Sequence, residues 1–383
     1  MKNVRIVIGA NFGDEGKGLM TDYFCSKVPL TEKVLNVRFN GGAQAGHTVV
    51  APDGRRHIFG HLGAGSFLPN VATYLSSDFI INPILFRREY EKLQSIGVVP
   101  MVYVHPACLL TFPQDMMINQ FIEKRRGEDR HGSCGVGIYE TILRSKKDSS
   151  ITMDTLSALS GKHFQVDISY YGAERIEKLF GIGLEDKEKA LLINQNIRAH
   201  FNQDVKFFMD HVVITDERIF KQFNYVVFEG AQGLMLDQNN KDYFPHLTPS
   251  NTGVRNIAPY LESYMDVEVI YVTRPYVTRH GAGKLPNECP KEMISKFIKP
   301  DLTNHINDWQ GEFRYAPLNV SELMARCEED IKHLNFPMKP INAKLSYAVT
   351  HMDESVPYNL IPYSEDLYLS FGPCRVNVRG LME

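Results

Sequence analysis

Val4-Arg5-Ile6-Val7-Ile8-Gly9-Ala10-Asn11-Phe12-Gly13-Asp14-Glu15-Gly16-Lys17-Gly18 is the stretch that decides the fold. Val4–Ile8 reads as a short buried strand running into a loop at Gly9. The loop carries glycines at 9, 13, 16 and 18, and Leu19–Val28 spaces its apolar residues as a helix does. Strand, glycine loop and helix in that order open a nucleotide-binding α/β fold. A standard phosphate loop reads G-x-x-x-x-G-K-[ST]. Here Gly9 to Gly16 is two residues longer, and Gly18 stands where a hydroxyl is expected. The physics is shared: backbone N–H groups and a helix N-terminus attract phosphate, and Lys17 adds a full charge. Asp14 is the anomaly, because a carboxylate beside a phosphate cradle repels its ligand unless it binds magnesium or takes a proton. A tight turn with a solvated Asp-Glu pair is the plain alternative.

Outward from that stretch, Val34–Phe39 reads as a second strand, ending in another glycine loop, Gly41-Gly42-Ala43-Gln44-Ala45-Gly46. Ile84–Ile96, Leu184–Phe208 and Val320–Leu334 read as helices, and Val102–Val104, Tyr225–Phe228 and Val267–Val272 as strands. Arg125–Ser145 is charged and glycine-rich and reads as a loop. With no linker or repeat, residues 1–383 read as one large α/β domain, with helical and loop insertions around a mainly parallel sheet and a P-loop-like phosphate site.

The composition, 43% hydrophobic and 23% charged, is that of a soluble globular protein. A net charge of −3 gives no basic field, so no nucleic-acid partner is expected. No apolar window is long enough to span a membrane, and no signal-peptide pattern follows Met1. Cys25, Cys108, Cys134, Cys289, Cys327 and Cys374 are scattered without a C-x-x-C pair, which suggests a reduced, cytoplasmic protein.

The Gly13–Gly18 run Gly-Asp-Glu-Gly-Lys-Gly resembles the hallmark loop of the adenylosuccinate synthetase family. Similar family segments follow in order: Gly41-Gly42-Ala43-Gln44-Ala45-Gly46-His47-Thr48, Phe228-Glu229-Gly230-Ala231-Gln232-Gly233, Pro249-Ser250-Asn251-Thr252, Thr350-His351-Met352-Asp353 and Ser370-Phe371-Gly372-Pro373-Cys374-Arg375. The resemblance implies a ligase that moves the γ-phosphate of GTP to the 6-oxygen of a purine nucleotide. The amine of L-aspartate then displaces that phosphate. ATP or dATP is the alternative donor, and Mg2+ the cofactor.

By resemblance Asp14 takes the N1 proton and, with the Gly46 carbonyl, touches magnesium. His47 donates to the transferring group, and Lys17 neutralises phosphate charge. The nucleotide monophosphate falls to Gln44, Ser133, Cys134, Arg144, Gln232, Thr248 and His280, with Arg144 reaching across a homodimer. The triphosphate falls to Gly13, Glu15, Gly16, Lys17, Gly18, Gly46, His47, Thr48, His351, Asp353, Ser370, Gly372 and Pro373. Asp353 would accept from guanine N1–H and N2–H, which favours GTP, although the family's neighbouring Lys is His351. Gly311 and Arg314 would hold aspartate.

This chain departs from the family at Gln44, at Ser133-Cys134-Gly135-Val136-Gly137, at His280 and around Trp309–Tyr315, where one arginine, Arg314, replaces a run of four. These changes surround the acceptor nucleotide and the amino acid, and they resemble the viral branch, which uses dGMP to make the precursor of 2-aminoadenine. Asp14, by contrast, is the residue kept in enzymes acting on IMP. The reading favours dGMP, with IMP the alternative. A GTP-binding switch is disfavoured by Gly18, and a catalytically dead relative by the presence of Asp14, Lys17 and His47.

Overall fold

The computed structural model describes residues 2–148, 151–158, 169–301, 311–336, 339–354, 356 and 367–381. A ten-stranded sheet runs through it in the order Val378–Gly380, Leu367–Ser370, Ala343–Val349, Asp266–Thr273, Asn3–Gly9, Tyr225–Gly233, Val34–Arg38, Val71–Leu75, Met101–Val104, Val213–Ile214. Every neighbouring pair is parallel except Leu367–Ser370 with Val378–Gly380. The opening strand lies inside the sheet, between Tyr225–Gly233 and Asp266–Thr273. That position explains its nearly unbroken apolar run, since a parallel sheet is covered on both faces. Val4, Ile6 and Ile8 enter one apolar cluster with Phe228, Val269 and Leu323. Val7 points to the other face, against Leu19, Met20, Tyr23 and Phe24 of the helix Lys17–Ser26. Each such buried side chain contributes about 1.5–3 kcal/mol, so strand and helix clamp the loop between them.

The strands and helices read from sequence are present with small shifts at their ends. Two spans differ in kind. Leu184–Phe208 is two helices, Asp186–Leu192 and Gln195–Asp210, because the Asn194 carboxamide accepts from the N–H of Asn196 and Ile197 and so starts the second one. Arg125–Ser145 is not a loop throughout. The helix Pro113–Arg126 runs into it, and Ile138–Lys147 is a helix whose buried face carries Ile138, Thr141 and Arg144. Gly137, at φ 81°, turns the chain into that helix. Glycine and charge masked its periodicity. An antiparallel hairpin, His47–Val50 with Arg56–Phe59, lies outside the main sheet. All six cysteines are free. Among the described residues no helix is long and apolar enough to cross a membrane.

Candidate active site

Parallel strands leave their loops at one edge, and a cavity of about 510 Å³ opens there. Its walls come from the segments that follow Asn3–Gly9, Val34–Arg38, Asp266–Thr273, Ala343–Val349 and Leu367–Ser370, and from the end of Tyr225–Gly233. Of the residues expected to bind the triphosphate or carry chemistry, Gly13, Asp14, Gly16, Lys17, Gly18, Gly46, His47, Thr48, His351, Asp353, Gly372 and Pro373 all line it. Gln232 and His280, expected on the nucleotide monophosphate, line it too.

The glycine loop is built by its own side chains. The Glu15 carboxylate accepts from the N–H of Asn11 at 2.8 Å and of Gly13 at 2.9 Å, and meets Lys17 Nζ at 3.3 Å. A Cβ on Gly9 would sit 2.4 Å from that carboxylate. The Glu15 carboxylate is therefore turned into the loop and does not line the cavity. Gly18 also finds its reason. A Cβ there would lie 2.9 Å from the His47 Cβ, so the position of the usual hydroxyl is taken by the second loop. Asp14, Gln232 and His351 hold positive φ of 60°, 64° and 58°, and all three face the cavity. Such strained non-glycine residues concentrate at functional sites.

His47 is 7% exposed, and its Nδ1 lies 2.5 Å from Glu229 Oε1. The second Glu229 oxygen accepts from Asn36 Nδ2 and the Ala64 N–H, and Arg38 stands 3.9 Å from the first. Burial opposes the Glu229 charge, but Arg38 and His47 outweigh it and hold the carboxyl below its ordinary range. Burial and Arg38 push His47 down to about 4, against the pull of Glu229. The imidazole is therefore neutral at pH 7. An ionised carboxylate only accepts, so Nδ1 carries the proton and Nε2 keeps its lone pair. Glu229 stands in the quoted Phe228–Gly233 segment, but its partnership with His47 spans 182 residues and has no local signature.

Asp14 is half-buried, and burial pushes its carboxyl above the usual range against Arg274 and Lys17. Arg274, unforeseen from sequence, donates from Nε to the Asp14 carbonyl at 2.7 Å and pairs with Asp301 at 3.3 Å. Its place immediately after a central parallel strand was the available signal. Arg56 and Lys299 are further cavity-lining cations that the motifs do not include. Among the described residues no cluster of three or more His, Cys, Asp or Glu could hold an ion. Asp14 and the backbone of Gly46, which line the same cavity, would suit a magnesium ion that takes its other oxygens from phosphate and water.

The acceptor side differs from expectation. Thr248 lines a separate cavity of about 210 Å³ with Gly41, Asp78, Gln238 and Asn251. Gln44 lies against Gly41 and Gly42 with its Oε1 buried and unpartnered. The Ser133 hydroxyl accepts from Asn119, and burial raises the Cys134 thiol to about 11; neither lines a cavity described here. Arg144 is 2% exposed. It pairs with Asp115 at 2.9 Å, donates to the Leu110 carbonyl at 2.7 Å and stacks on Phe112, so within this chain its side chain is held inward. Arg314 is bound to Glu288 at 2.6 Å and to the carbonyls of Gly281 and Gly283, away from the cavity lining. Gly311 is exposed and outside the lining as well, and Trp309 and Gln310 lie outside the described residues. The Ser370 hydroxyl is buried and donates to the Gly372 carbonyl, supporting the wall from behind.

Residues 6–312 match the family model for adenylosuccinate synthetase. The adenylosuccinate synthetase of Acaryochloris marina is 30% identical over 300 residues, 76% of this chain and 64% of that protein. The one from Teredinibacter turnerae is 31% identical over 310 residues, 76% of this chain and 66% of that protein. The chain thus spans just under two thirds of the length of these relatives. Among solved structures, fully ligated adenylosuccinate synthetase from Plasmodium falciparum superposes with a TM-score of 0.65 at 19% identity, over 98% of this chain and 99% of that one. The cyanophage S-2L succinoaminodeoxyadenylate synthetase, bound to dGMP and dATP as an energy donor, gives 0.62 at 16% identity, over 99% and 95%. These two likenesses are of fold, while the match over residues 6–312 is of sequence: the chain belongs to the adenylosuccinate synthetase family.

Proposed function

We propose that this chain is a C–N ligase that joins L-aspartate to carbon 6 of a purine nucleoside monophosphate at the expense of a nucleoside triphosphate. The observation that carries the reading is the convergence of Asp14, Lys17 and His47 on one cavity at the strand ends.

In the first step Asp14 takes the N1 proton of a 6-oxopurine, and the 6-oxygen attacks the γ-phosphorus. The O6–P bond forms as the bond to the β-phosphate oxygen breaks, releasing the nucleoside diphosphate. Loop N–H groups and Lys17 hold the phosphoryl charge in line. Magnesium, held by Asp14 and Gly46, neutralises phosphate charge when bound. His47 is neutral without ligand. The negative charge of a bound triphosphate draws a proton to Nε2, and the imidazolium, still fixed by Glu229, donates to the developing oxyanion. In the second step the aspartate amine forms the C–N bond as the C6–O bond breaks. Phosphate leaves, Asp14 returns its proton to N1 as the amine adds, and that proton and one amine proton then pass to water, so the product carries N6–H and an unprotonated N1.

The acceptor we favour is dGMP. The sequence departures gather on the acceptor side, and Arg144 and Arg314 are bound within the protein. A carboxylate at position 14 can accept from guanine N1–H and N2–H together. IMP is the second reading, supported by Asp14 itself and by the curated relatives. Phosphate release with L-aspartate and IMP, GMP or dGMP decides between them, and a strong preference for IMP would overturn the dGMP reading. We further propose a cytoplasmic homodimer, in which a cation other than Arg144 meets the acceptor's phosphate.

A further inference from the structure

Asp353 faces the cavity beside Gly372 and Pro373, where the donor base is placed under the reading above. Its carboxylate has a partner within the protein. Lys299 Nζ forms an ion pair and hydrogen bond with Asp353 Oδ2, and Lys299 lines the same cavity. The arm is anchored at its root. The Lys299 N–H donates to Glu354 Oε1 at 3.2 Å, and the Ser295 hydroxyl donates to the Glu354 carbonyl at 2.9 Å. Glu354 is itself buried and accepts from the Tyr276 hydroxyl at 2.5 Å. Lys299 is thus tied through its backbone to the turn Met352–Glu354 that carries Asp353.

A lone carboxylate at this place selects guanine for two reasons. Guanine offers N1–H and N2–H as donors, whereas adenine turns the N1 lone pair toward it and leaves the anion without a partner. Lys299 removes the second reason. It neutralises the carboxylate and adds an N–H donor next to the acceptor. Against that pair, adenine N1 accepts from the ammonium while N6–H donates to Asp353. Guanine presents the reverse order along that edge, O6 accepting and N1–H donating, so the long, exposed Lys299 side chain meets O6 from the other side of Asp353. Neither base leaves a charged group unpaired.

We propose that Lys299 is a specificity-determining residue that opens the donor pocket to both adenine and guanine nucleoside triphosphates. The proposal rests on the ligase reading under Proposed function and on the family resemblance that puts the donor base at Asp353. Lys299 is 65% exposed, so its replacement leaves the fold intact and acts on the base. The test compares kcat/KM for ATP and GTP, at fixed aspartate and acceptor, in the full-length wild type, Lys299→Met and Lys299→Arg. Lys299→Met should move the ATP-to-GTP ratio toward GTP by roughly 10-fold or more, because a charge-assisted bond to adenine is lost. Lys299→Arg should stay near wild type. An unchanged ratio in Lys299→Met overturns the proposal, as does a wild type that excludes ATP. Calorimetric titration of ATP and GTP into the same proteins reads the same ratio without turnover. Should no acceptor support phosphate release, the ligase reading fails, and the titration still decides the role of Lys299.

Discussion

The two ends of the molecule's working edge are assembled differently. At the donor end, backbone and short loops do the positioning: Glu15 folds its own loop, Glu229 fixes His47, and the cations Lys17 and Arg274 face the cavity. At the acceptor end the arginines expected to meet ligands meet protein carboxylates, Arg144 with Asp115 and Arg314 with Glu288. The difference teaches that the glycine loop and His47 are held ready by their own partners, whereas the arginines expected at the acceptor are held by protein carboxylates. The Arg144–Asp115 pair is buried and costly to redirect, while Arg314–Glu288 is partly exposed, so the contrast is best attacked by substitution at Arg144.

The most severe break is at the donor end. Asp14→Asn keeps the size and the hydrogen-bonding capacity of the loop but cannot take the N1 proton. We expect kcat to fall by about 10³-fold or more with binding of the triphosphate retained, measured by steady-state kinetics beside nucleotide titration. An activity near wild type would remove Asp14 from the chemistry and with it the central step of the proposed function.

Arg144 sharpens the contrast from the other end. Arg144→Met leaves Asp115 charged and buried, which costs about 3–5 kcal/mol of stability. Activity per folded molecule and the acceptor KM should not change. Asp115→Asn in the same chain should restore much of the loss, since both charges are then gone. A steep rise in acceptor KM without a change in denaturant midpoint would instead assign Arg144 to a ligand.

Glu229→Gln is expected to lower kcat by about 100-fold and to leave KM for the donor nearly unchanged. The carboxamide can still meet Nδ1, but it does not stabilise an imidazolium. A positioning role predicts a displaced pH–rate profile in the variant. A purely structural role predicts loss of folded protein and an unchanged profile.

How far the sequence could be read follows the same division. The loop Gly9–Gly18 was legible because its constraints are local: left-handed turns at Gly13 and Gly16, a strand before it and a helix after it. The loop Gly41–Thr48 and the turn Thr350–Asp353 were legible through the motif they share with relatives. The Arg144 pairing was not legible because Asp115 lies 29 residues earlier, on the helix Pro113–Arg126. Lys299 and Arg274 carry no motif and gain meaning only from what the sheet brings beside them, Asp353 and Asp14. Side-chain pairs made across the fold leave no trace in periodicity or spacing.

The smallest expected effect tests whether His47 is neutral in the resting protein. Its folded pKa, about 4, lies below the ordinary histidine value near 6.5. Between those values the unfolded chain binds more protons than the folded one, so the His47 contribution makes stability rise with pH. It is complete above about pH 6.5 and gone below about pH 4. Asp22 and Asp330, raised to about 6 by burial, act with the opposite sign, since they are more protonated folded than unfolded between their ordinary range and 6. The raw stability curve therefore mixes the two. The difference between wild type and His47→Asn removes the Asp22 and Asp330 contributions, which remain in each protein, and leaves that of His47 with its partner Glu229. That difference should climb with pH by at most about 1.4 kcal/mol per unit across the window, read from denaturant unfolding of the ligand-free chain. A difference that falls as pH rises past about 6.5 would mean that His47 is charged at rest. Its Nε2 would then already be a donor, and the triphosphate would not be needed to bring the proton.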